Sequence, residues 1–326
     1  MSGTDSAAEE GARGTEARPP TERPLTPAAL DGWAFSGTAV AVLGHPIRHS
    51  LSPPMHNAAL AAMASAEPRF ADWKYFAFDV SPDTLGTVLP LFARRGFRGL
   101  NLTIPHKVDV VPLLSEVDPA AARMGAVNTL ILQEDGTGYT GANTDGYGIS
   151  RAVTEAFGRS LGGARIVLLG AGGAARAIAA QCLDEDCAEL WIGNRNEARL
   201  AALLDLVGGL FPEATRRVRG FSLDEPPSVN GEAIVINATA LGLKADDPPP
   251  VDPGAFAPGS VVYDTTYGAV NGLARACAAA GLPYADGLGM LVWQGARSLA
   301  MWAGCEPPAD VMTRAARTAL EERSRP

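Results

Sequence analysis

The feature that most constrains the fold of this chain is a glycine-rich turn at residues 170–175, directly after an apolar run. Residues 165–169 read Arg-Ile-Val-Leu-Leu, a pattern typical of a buried parallel strand. In the G-x-G-x-x-A turn that follows, Gly170 permits a tight bend, Gly172 allows close approach of a pyrophosphate, and Ala175 lets the next helix pack on the sheet. Such turns also form for packing alone, but this context predicts a dinucleotide-binding domain.

The residues after the next predicted strand indicate which dinucleotide is bound. An NAD-binding chain carries an Asp or Glu about 20 residues beyond the glycine turn, whereas this strand ends in Gly193-Asn194-Arg195. Arg195 is placed to stack on adenine or to meet a 2′-phosphate, and Arg199, four residues on, is expected to share its face. The pair favours NADP, although a solvated helix arginine remains the alternative for Arg199.

Predicted strands and helices alternate on both sides of the glycine turn. After it, apolar runs indicate further strands of a doubly wound sheet, at residues 189–192, 233–236, 261–263 and 283–285. Before it, similar runs indicate another sheet, at residues 39–43, 75–80, 99–103 and 127–132, with a helix over 82–95. The run at 127–132 meets a Glu134-Asp135-Gly136 turn and returns through Tyr139, which predicts a hairpin.

A chain of 326 residues that is 47% hydrophobic is long enough to bury two cores. We therefore expect an α/β protein in which an N-terminal substrate domain and a C-terminal Rossmann-like NADP domain are separated by a cleft. The predicted segments are a flexible tail (1–36), the substrate-binding and catalytic domain (37–145), the NADP-binding domain (146–286), and two C-terminal helices that return to the first domain (287–326).

Charge and composition exclude several classes of partner. The net charge is −9 and no long run of Lys or Arg occurs, so a nucleic-acid surface is not expected. No apolar stretch has membrane-spanning length and the N-terminus lacks a secretory layout, which predicts a cytoplasmic protein without membrane contact. The four cysteines show no C-x-x-C pair, and His45, His49 and His56 lack a completing metal motif, so neither disulfides nor a metal are expected. The expected partner is a small-molecule substrate, and a homodimer is compatible with the sequence.

Polar residues follow two predicted strands of the first half. Ser50 and Ser52 lie two residues apart in His-Ser-Leu-Ser-Pro and form a pair of neutral donors suited to a carboxylate. Helix capping by Ser52 ahead of Pro53 is the competing interpretation. In Asn-Leu-Thr-Ile-Pro-His-Lys, the strand period places Asn101, Thr103 and Lys107 on one side, which indicates a site.

Three further residues complete the candidate site. Asn128, in Gly-Ala-Val-Asn-Thr, and Asp145, in Asn-Thr-Asp-Gly, supply an amide and a carboxylate, although each also suits a turn or a cap. Gln294 lies on an otherwise apolar helical stretch, where it either binds a substrate hydroxyl or is a satisfied core amide. For Lys107 with Asp145, the alternative to a catalytic pair is a salt bridge of modest strength.

Taken together, the ordered motifs HSLSP, NLTIPHK, GAVNT, NTDG, GAGGAAR, NRNEAR and ADGLGMLVWQGA resemble the shikimate dehydrogenase family over residues 38 to about 320. The resemblance implies a reversible NADPH-dependent reduction of 3-dehydroshikimate to shikimate, within chorismate and aromatic amino acid biosynthesis. It implies that Lys107 is a general acid and base with Asp145. It further implies that Ser50 and Ser52 bind the substrate carboxylate, that Thr103 and Asn128 bind its ring hydroxyls, and that Tyr267 and Gln294 complete the substrate pocket.

On the cofactor side the resemblance implies three groups of contacts. The pyrophosphate contacts are Gly170, Ala171, Gly172, Gly173 and Ala174. The adenosine phosphate contacts are Asn194, Arg195 and Arg199, and Thr265 and Gly287 lie near the nicotinamide. The chain departs from the family pattern at Asn196, where Thr is common, and at residues 238–242 and 265–268. Two alternatives remain: an NAD-dependent quinate/shikimate dehydrogenase, and a non-catalytic NADP-binding regulator on the same scaffold.

Overall fold

The computed structural model describes residues 23–268 and 270–324. Two six-stranded sheets form its framework, which confirms the predicted α/β class. No helix in these two ranges has both the length and the apolar character needed to cross a bilayer. Short 3₁₀ helices occur at Pro27–Leu30, Pro68–Phe70, Pro82–Thr84, Val111–Leu113, Pro212–Arg217 and Pro253–Ala255.

The first sheet is mixed. Its strands are β1 (Thr38–Gly44), β2 (Trp73–Asp79), β3 (Gly99–Leu102), β4 (Glu116–Val117), β5 (Thr129–Leu132) and β6 (Tyr139–Ala142). They lie in the order β2-β1-β3-β5-β6-β4, with β1 parallel to β2 and β3, and β5 antiparallel to β3 and β6. The predicted hairpin is therefore present as β5–β6. Four helices belong to this half: α1 (Ser52–Ala66), α2 (Leu85–Arg94), α3 (His106–Asp109) and α4 (Pro119–Met124).

The second sheet is entirely parallel. Its strands are β7 (Arg165–Leu169), β8 (Glu189–Gly193), β9 (Val218–Phe221), β10 (Ile234–Asn237), β11 (Val261–Asp264) and β12 (Tyr284–Ala285). The order β12-β11-β10-β7-β8-β9 is the strand order of a dinucleotide-binding fold, with the switch of direction between β7 and β10. Its helices are α5 (Asp145–Phe157), α6 (Gly173–Asp184), α7 (Glu197–Leu210) and α8 (Gly272–Ala280).

Two strands, β4 and β9, are absent from the sequence prediction. Each forms an outer edge of its sheet. Strand β4 has two residues, too few to show alternation, and β9 is largely exposed and contains Gly220. Their pairing depends on the neighbouring strand rather than on their own pattern.

The chain ends in α9 (Leu288–Ala303) and α10 (Ala309–Ser324), and both contact α1 of the first half. Trp302 of α9 is completely buried, and its indole N–H donates to the Leu130 carbonyl at 3.0 Å. A side chain at Gly99 would meet this indole at 2.1 Å, so the absence of a Cβ there makes room for the ring. The C-terminal helices thus pack on the first sheet.

Residues 23–36, which the sequence analysis groups with a flexible tail, pack on the first half, while residues 1–22 lie outside the described residues. Leu25 exchanges backbone hydrogen bonds with β2 through Ala77 and Asp79. Leu30 is buried, and Trp33 packs against Phe97 with ring centroids 4.8 Å apart. The expectation for 23–36 therefore does not hold, because isolated apolar residues can anchor a segment that shows no helix or strand period.

Candidate active site

Lys107 and Asp145 form the centre of the candidate site. Lys107 lies on the single-turn helix α3, just beyond the end of β3, and Asp145 is the first residue of α5. The ammonium donates to Asp145 Oδ2 at 2.6 Å, and the two side chains are 19% and 3% exposed. The weak energetics of exposed ion pairs do not apply to a carboxylate this buried. Among the described residues Asp145 is the one hydrogen-bond partner of Nζ, so two of its three donors remain available.

Asn128 fixes the other oxygen of this carboxylate. Its amide N–H donates to Asp145 Oδ1 at 2.8 Å and also reaches Gln294 Oε1 at 3.4 Å. The Asn128 carbonyl oxygen accepts from the backbone N–H of Thr144 at 2.8 Å. The structure therefore brings Asn128, Asp145, Lys107 and Gln294 together, and it holds the carboxylate in one orientation from both sides.

Asn101 lies in a buried hydrogen-bond network next to this centre. It is 5% exposed, its amide donates to Ser298 Oγ at 2.9 Å, and its oxygen accepts from the Tyr75 hydroxyl at 2.8 Å. Ser298, on α9, also meets Thr129 Oγ1 at 2.8 Å and Thr144 Oγ1 at 3.2 Å. Both polar atoms of Asn101 are thus engaged within the protein, which suits a supporting position better than a direct substrate contact.

Ser50 and Ser52 lie at the start of α1. The helix begins at Ser52 with Leu51 at the N-cap position, and no side chain caps it. Helix capping by Ser52, the competing interpretation, is therefore wrong. Ser50 Oγ instead accepts from the backbone N–H of Ser52 at 3.2 Å, which leaves the Ser50 hydroxyl proton available. The Ser52 hydroxyl lies beside that of Tyr75, whose pKa is raised by burial.

Thr103 and Tyr267 lie in two loops that follow strands of different sheets. Thr103 follows β3 directly, and within the described ranges its hydroxyl has no hydrogen-bond partner, which leaves it open to a ligand. Tyr267 lies in the loop after β11 and packs with the apolar cluster that joins α1, α9 and α10. Burial raises the pKa of Tyr267, so its phenol stays protonated at neutral pH.

The glycine turn has the geometry that its sequence predicts. Gly170 adopts a φ of +117°, and a Cβ there would meet the Ala238 carbonyl oxygen at 2.7 Å, so only glycine fits. A Cβ at Gly172 would meet nothing within 4 Å, which leaves open space above the N-terminus of α6. Ala175 is fully buried. A Cβ at Gly173 would lie 3.7 Å from Lys107 Cβ, so the turn faces the lysine.

A cavity of about 350 Å³ lies beside this turn. Gly172, Gly173, Arg176 and Arg199 are among the residues that line it. Two arginines beside the N-terminus of a helix are a suitable cradle for phosphate groups, so the residues present fit an NADP phosphate. Arg176 directly follows the glycine motif but is not among the predicted cofactor contacts, because an arginine inside a helix is usually solvated.

Arg195 and Arg199 do not share a helix face. Asn196 is the N-cap of α7 and accepts from the Arg199 backbone N–H at 2.9 Å, so Arg195 precedes the helix. At position 196, where the family often has Thr, Asn can take the same N-cap position, because both residues accept a hydrogen bond there. The predicted shared helix face is therefore wrong: Arg199 lines the cavity, whereas Arg195 is exposed in the preceding loop. Asn194 is near them and donates to the Asn196 carbonyl.

Thr265 and Gly287 lie next to each other. A Cβ at Gly287 would meet the Thr265 carbonyl oxygen at 2.1 Å, and Gly287 N–H donates to the Thr266 carbonyl at 2.8 Å. Asp264 is buried and stabilises this loop, because its carboxylate accepts hydrogen bonds from the Thr266 N–H and from the Asn271 amide. Asp264 is not among the residues predicted from the sequence, although a carboxylate at the end of a buried strand is a usable signal.

Comparisons with known proteins agree with this arrangement. Residues 42–130 match the family model for the shikimate dehydrogenase substrate binding domain, and residues 287–317 match that for the shikimate 5'-dehydrogenase C-terminal domain. Shikimate dehydrogenase (NADP(+)) of Moorella thermoacetica is 41% identical over 86% of this chain and 93% of its own, and that of Geobacter metallireducens is 38% identical over 86% and 96%. A crystal structure of Thermus thermophilus shikimate 5-dehydrogenase with NADP(H) and shikimate is 36% identical, with a TM-score of 0.74 over 87% of this chain and all of that one.

The fold and the site first define a class. A parallel sheet in dinucleotide order, whose glycine turn faces a buried lysine–aspartate pair, is the framework of a nicotinamide-dependent oxidoreductase. Within that class, this chain belongs to the shikimate dehydrogenase family. The family predicted from the sequence motifs is thereby confirmed.

Proposed function

We propose that this protein catalyses the reversible NADPH-dependent reduction of 3-dehydroshikimate to shikimate. The observation that carries the proposal is the proximity of Lys107, which is bonded to Asp145 at 2.6 Å, to the glycine turn, where a Cβ built at Gly173 would lie 3.7 Å from Lys107 Cβ. A proton donor and a dinucleotide-binding turn at this separation suit reduction of a ketone. The names of the relatives support the same substrate and cofactor.

Lys107 is the proposed proton donor. When bound, NADPH supplies a hydride to the ring carbonyl carbon. Lys107 Nζ donates a proton to the carbonyl oxygen as negative charge develops there, and in the reverse direction it accepts the proton of the alcohol. Asp145 holds the ammonium in place, and Asn128 holds Asp145, so the proton is transferred from a fixed position.

The polar residues around this centre suit the remaining groups of the substrate. Ser50 has a hydroxyl proton to donate, and with Ser52 it is the proposed contact of the carboxylate. The open hydroxyl of Thr103 and the amide of Gln294 are the proposed contacts of the ring hydroxyls. Asn101 is proposed to support them through Ser298 rather than to touch the substrate.

Cofactor contacts follow the cavity beside the glycine turn. Residues 170–174 are the proposed site of the pyrophosphate, and Arg199 is the proposed contact of the adenosine 2′-phosphate. Arg195, which is exposed, is proposed to reach the same phosphate or the adenine. No carboxylate occupies the strand end at Asn194 to bind a ribose hydroxyl, which favours NADP over NAD.

A reducing compartment such as the cytoplasm is part of the proposal. The four cysteines are free, and three of them are buried. Burial raises the pKa of Cys187 and of Cys277 to about 11, so these thiols stay protonated and unreactive. Cysteines of this kind are typical of proteins made and kept under reducing conditions.

Absorbance at 340 nm tests the proposal directly. The purified protein is assayed with shikimate or quinate, each with NADP or NAD. Fast reduction of NADP with shikimate is the expected result. A preference for quinate with NAD would identify the alternative dehydrogenase, and lack of turnover in all four pairs, with NADP binding retained, would identify a non-catalytic regulator.

A further inference from the structure

The last turn of α10 contacts the loop that carries Ser50. One guanidinium nitrogen of Arg323 donates to the His49 carbonyl at 2.7 Å, and the other terminal nitrogen donates to the Ser50 carbonyl at 2.9 Å. These two carbonyls are consecutive along the backbone, so the planar fork of one arginine spans them. Residues more than 270 positions apart in sequence are joined by this contact.

The contact completes a set of bonds that fixes Ser50. Its backbone N–H donates to the Ile47 carbonyl at 3.0 Å, its carbonyl accepts from Arg323, and its hydroxyl oxygen accepts from the backbone N–H of Ser52 at 3.2 Å. The hydroxyl proton is the one polar group of Ser50 that these bonds leave unused. A serine held in this way presents its proton in one direction, as recognition of an anion requires.

The guanidinium also brings positive charge to this end of the cleft. Tyr267, which the family resemblance places in the substrate pocket, lies next to it: burial lowers the pKa of Arg323, and the proximity of Tyr267 raises it. Arg323 remains charged, because a guanidinium cannot lose its proton at neutral pH. Within the described ranges no carboxylate lies within 4 Å of this guanidinium.

We propose that Arg323 is a positioning residue for the carboxylate end of the substrate, acting through the backbone of Ser50. The inference rests on the proposed function and adds a residue that lies beyond positions 287–317, where the family model for the C-terminal domain ends. Because the guanidinium bonds to carbonyl groups of the protein, it orients the serine rather than contacting the reacting atoms. Its effect is therefore on substrate affinity and not on the chemical step.

The test compares Arg323→Ala and Arg323→Lys with a control on the same helix. Arg314→Ala is the matched control, because Arg314 is exposed and its one ion pair among the described residues is with Asp310 of α10. For Arg323→Ala we expect KM for shikimate to rise about 10-fold, the size of one lost charge-assisted hydrogen bond, with kcat changed less than about twofold. KM for NADP should stay unchanged. Lysine cannot span both carbonyls, so Arg323→Lys should recover only part of the loss.

A substrate without the charge separates positioning from a general structural effect. With the methyl ester of shikimate, the ratio of kcat/KM between wild type and Arg323→Ala should fall towards one. An unchanged KM in Arg323→Ala, full recovery by lysine, or an equal loss with the ester would each overturn the inference. Thermal melting and NADP binding show that the variants are folded. If wild type itself does not oxidise shikimate, the proposed function fails, which is distinct from failure of this inference.

Discussion

The half of the site around Lys107 and the half around the glycine turn differ in how their polar groups are satisfied. Asp145, Asn128 and Ser298 are buried, and each is hydrogen-bonded to other residues of the protein. The guanidinium groups of Arg195 and Arg199, by contrast, are exposed, and within the described residues neither has a hydrogen-bond partner. The network around the Asp145 carboxylate is thus closed within the protein, whereas the two arginines have all their donors left for an anion.

The difference reflects what each half must do. A group that transfers a proton must already be in place, and a closed network keeps it there without reorganisation. A coenzyme phosphate must bind and leave in each cycle, so its donors stay open to solvent until it arrives. Substitutions around Lys107 should therefore affect turnover or stability, and substitutions around the glycine turn should affect cofactor affinity.

The largest effect is expected for Lys107→Ala. Loss of the proton donor should lower kcat by about 10³-fold or more, since general acid–base catalysis typically contributes 10²–10⁴. NADP binding, followed by quenching of protein fluorescence, should remain within about twofold because the lysine acts at the ketone. Turnover close to that of wild type would refute the assignment of Lys107 as the proton donor.

Stability at acid pH should depend on His56. This side chain is buried against Tyr75, and burial lowers its pKa to about 4. Between about pH 6.5, the ordinary pKa of histidine, and pH 4, the unfolded chain binds a proton that the folded one does not. Stability should therefore fall by about 3 kcal/mol as the pH drops through this window, because 2.5 pKa units separate the two states.

The measurement is urea unfolding at pH 7.5, 6, 5 and 4 for wild type and His56→Gln. The variant lacks the titrating group, so its loss of stability over this range should be smaller by the same amount. His106, whose pKa burial also lowers, supplies part of the remaining slope in both proteins. Parallel pH profiles for the two proteins would contradict the role of His56.

Ser298→Ala should disturb the closed network without reaching the cofactor. It leaves the Asn101 amide and the Thr129 hydroxyl each without one partner, which should cost about 2 kcal/mol of stability. Ser65→Ala is the matched control. The Ser65 hydroxyl donates to the carbonyl four residues earlier, as the Ser298 hydroxyl does to that of Gln294, but Ser65 is exposed. Urea unfolding should separate the two variants, and KM for NADP should be unchanged in both. Equal stability losses in the two variants would show that the buried network does not stabilise the protein more than an exposed hydrogen bond does.

The smallest effect is expected in the cofactor half. Arg199→Ala should raise KM for NADP about 10-fold, which corresponds to about 1.4 kcal/mol, and should leave KM for NAD and protein stability unchanged. Arg216→Ala is the control, since Arg216 is exposed in the same half but lies outside the cavity. An equal rise for NADP and NAD would show that Arg199 does not distinguish the 2′-phosphate.

Packing between distant segments decided several features of the site. Tyr75, Ser298 and Thr144 come from a strand, a late helix and a loop, and none of them stands out by its neighbours in sequence. Helix boundaries mattered as well: the expected pairing of Arg195 with Arg199 failed because Asn196 caps α7 between them. Arg323 meets Ser50 only because α10 packs back on the first half.

The sequence by itself determined the fold class, most strands and helices, the glycine turn and the family. These depend on local physics, namely the period of apolar residues and the backbone freedom of Gly170, which neighbouring residues reveal. Only the tertiary structure decided which polar groups are hydrogen-bonded to one another and which remain available to a ligand. That choice depends on hydrogen bonds between residues far apart in the chain, and these form only after both sheets and the last two helices have packed.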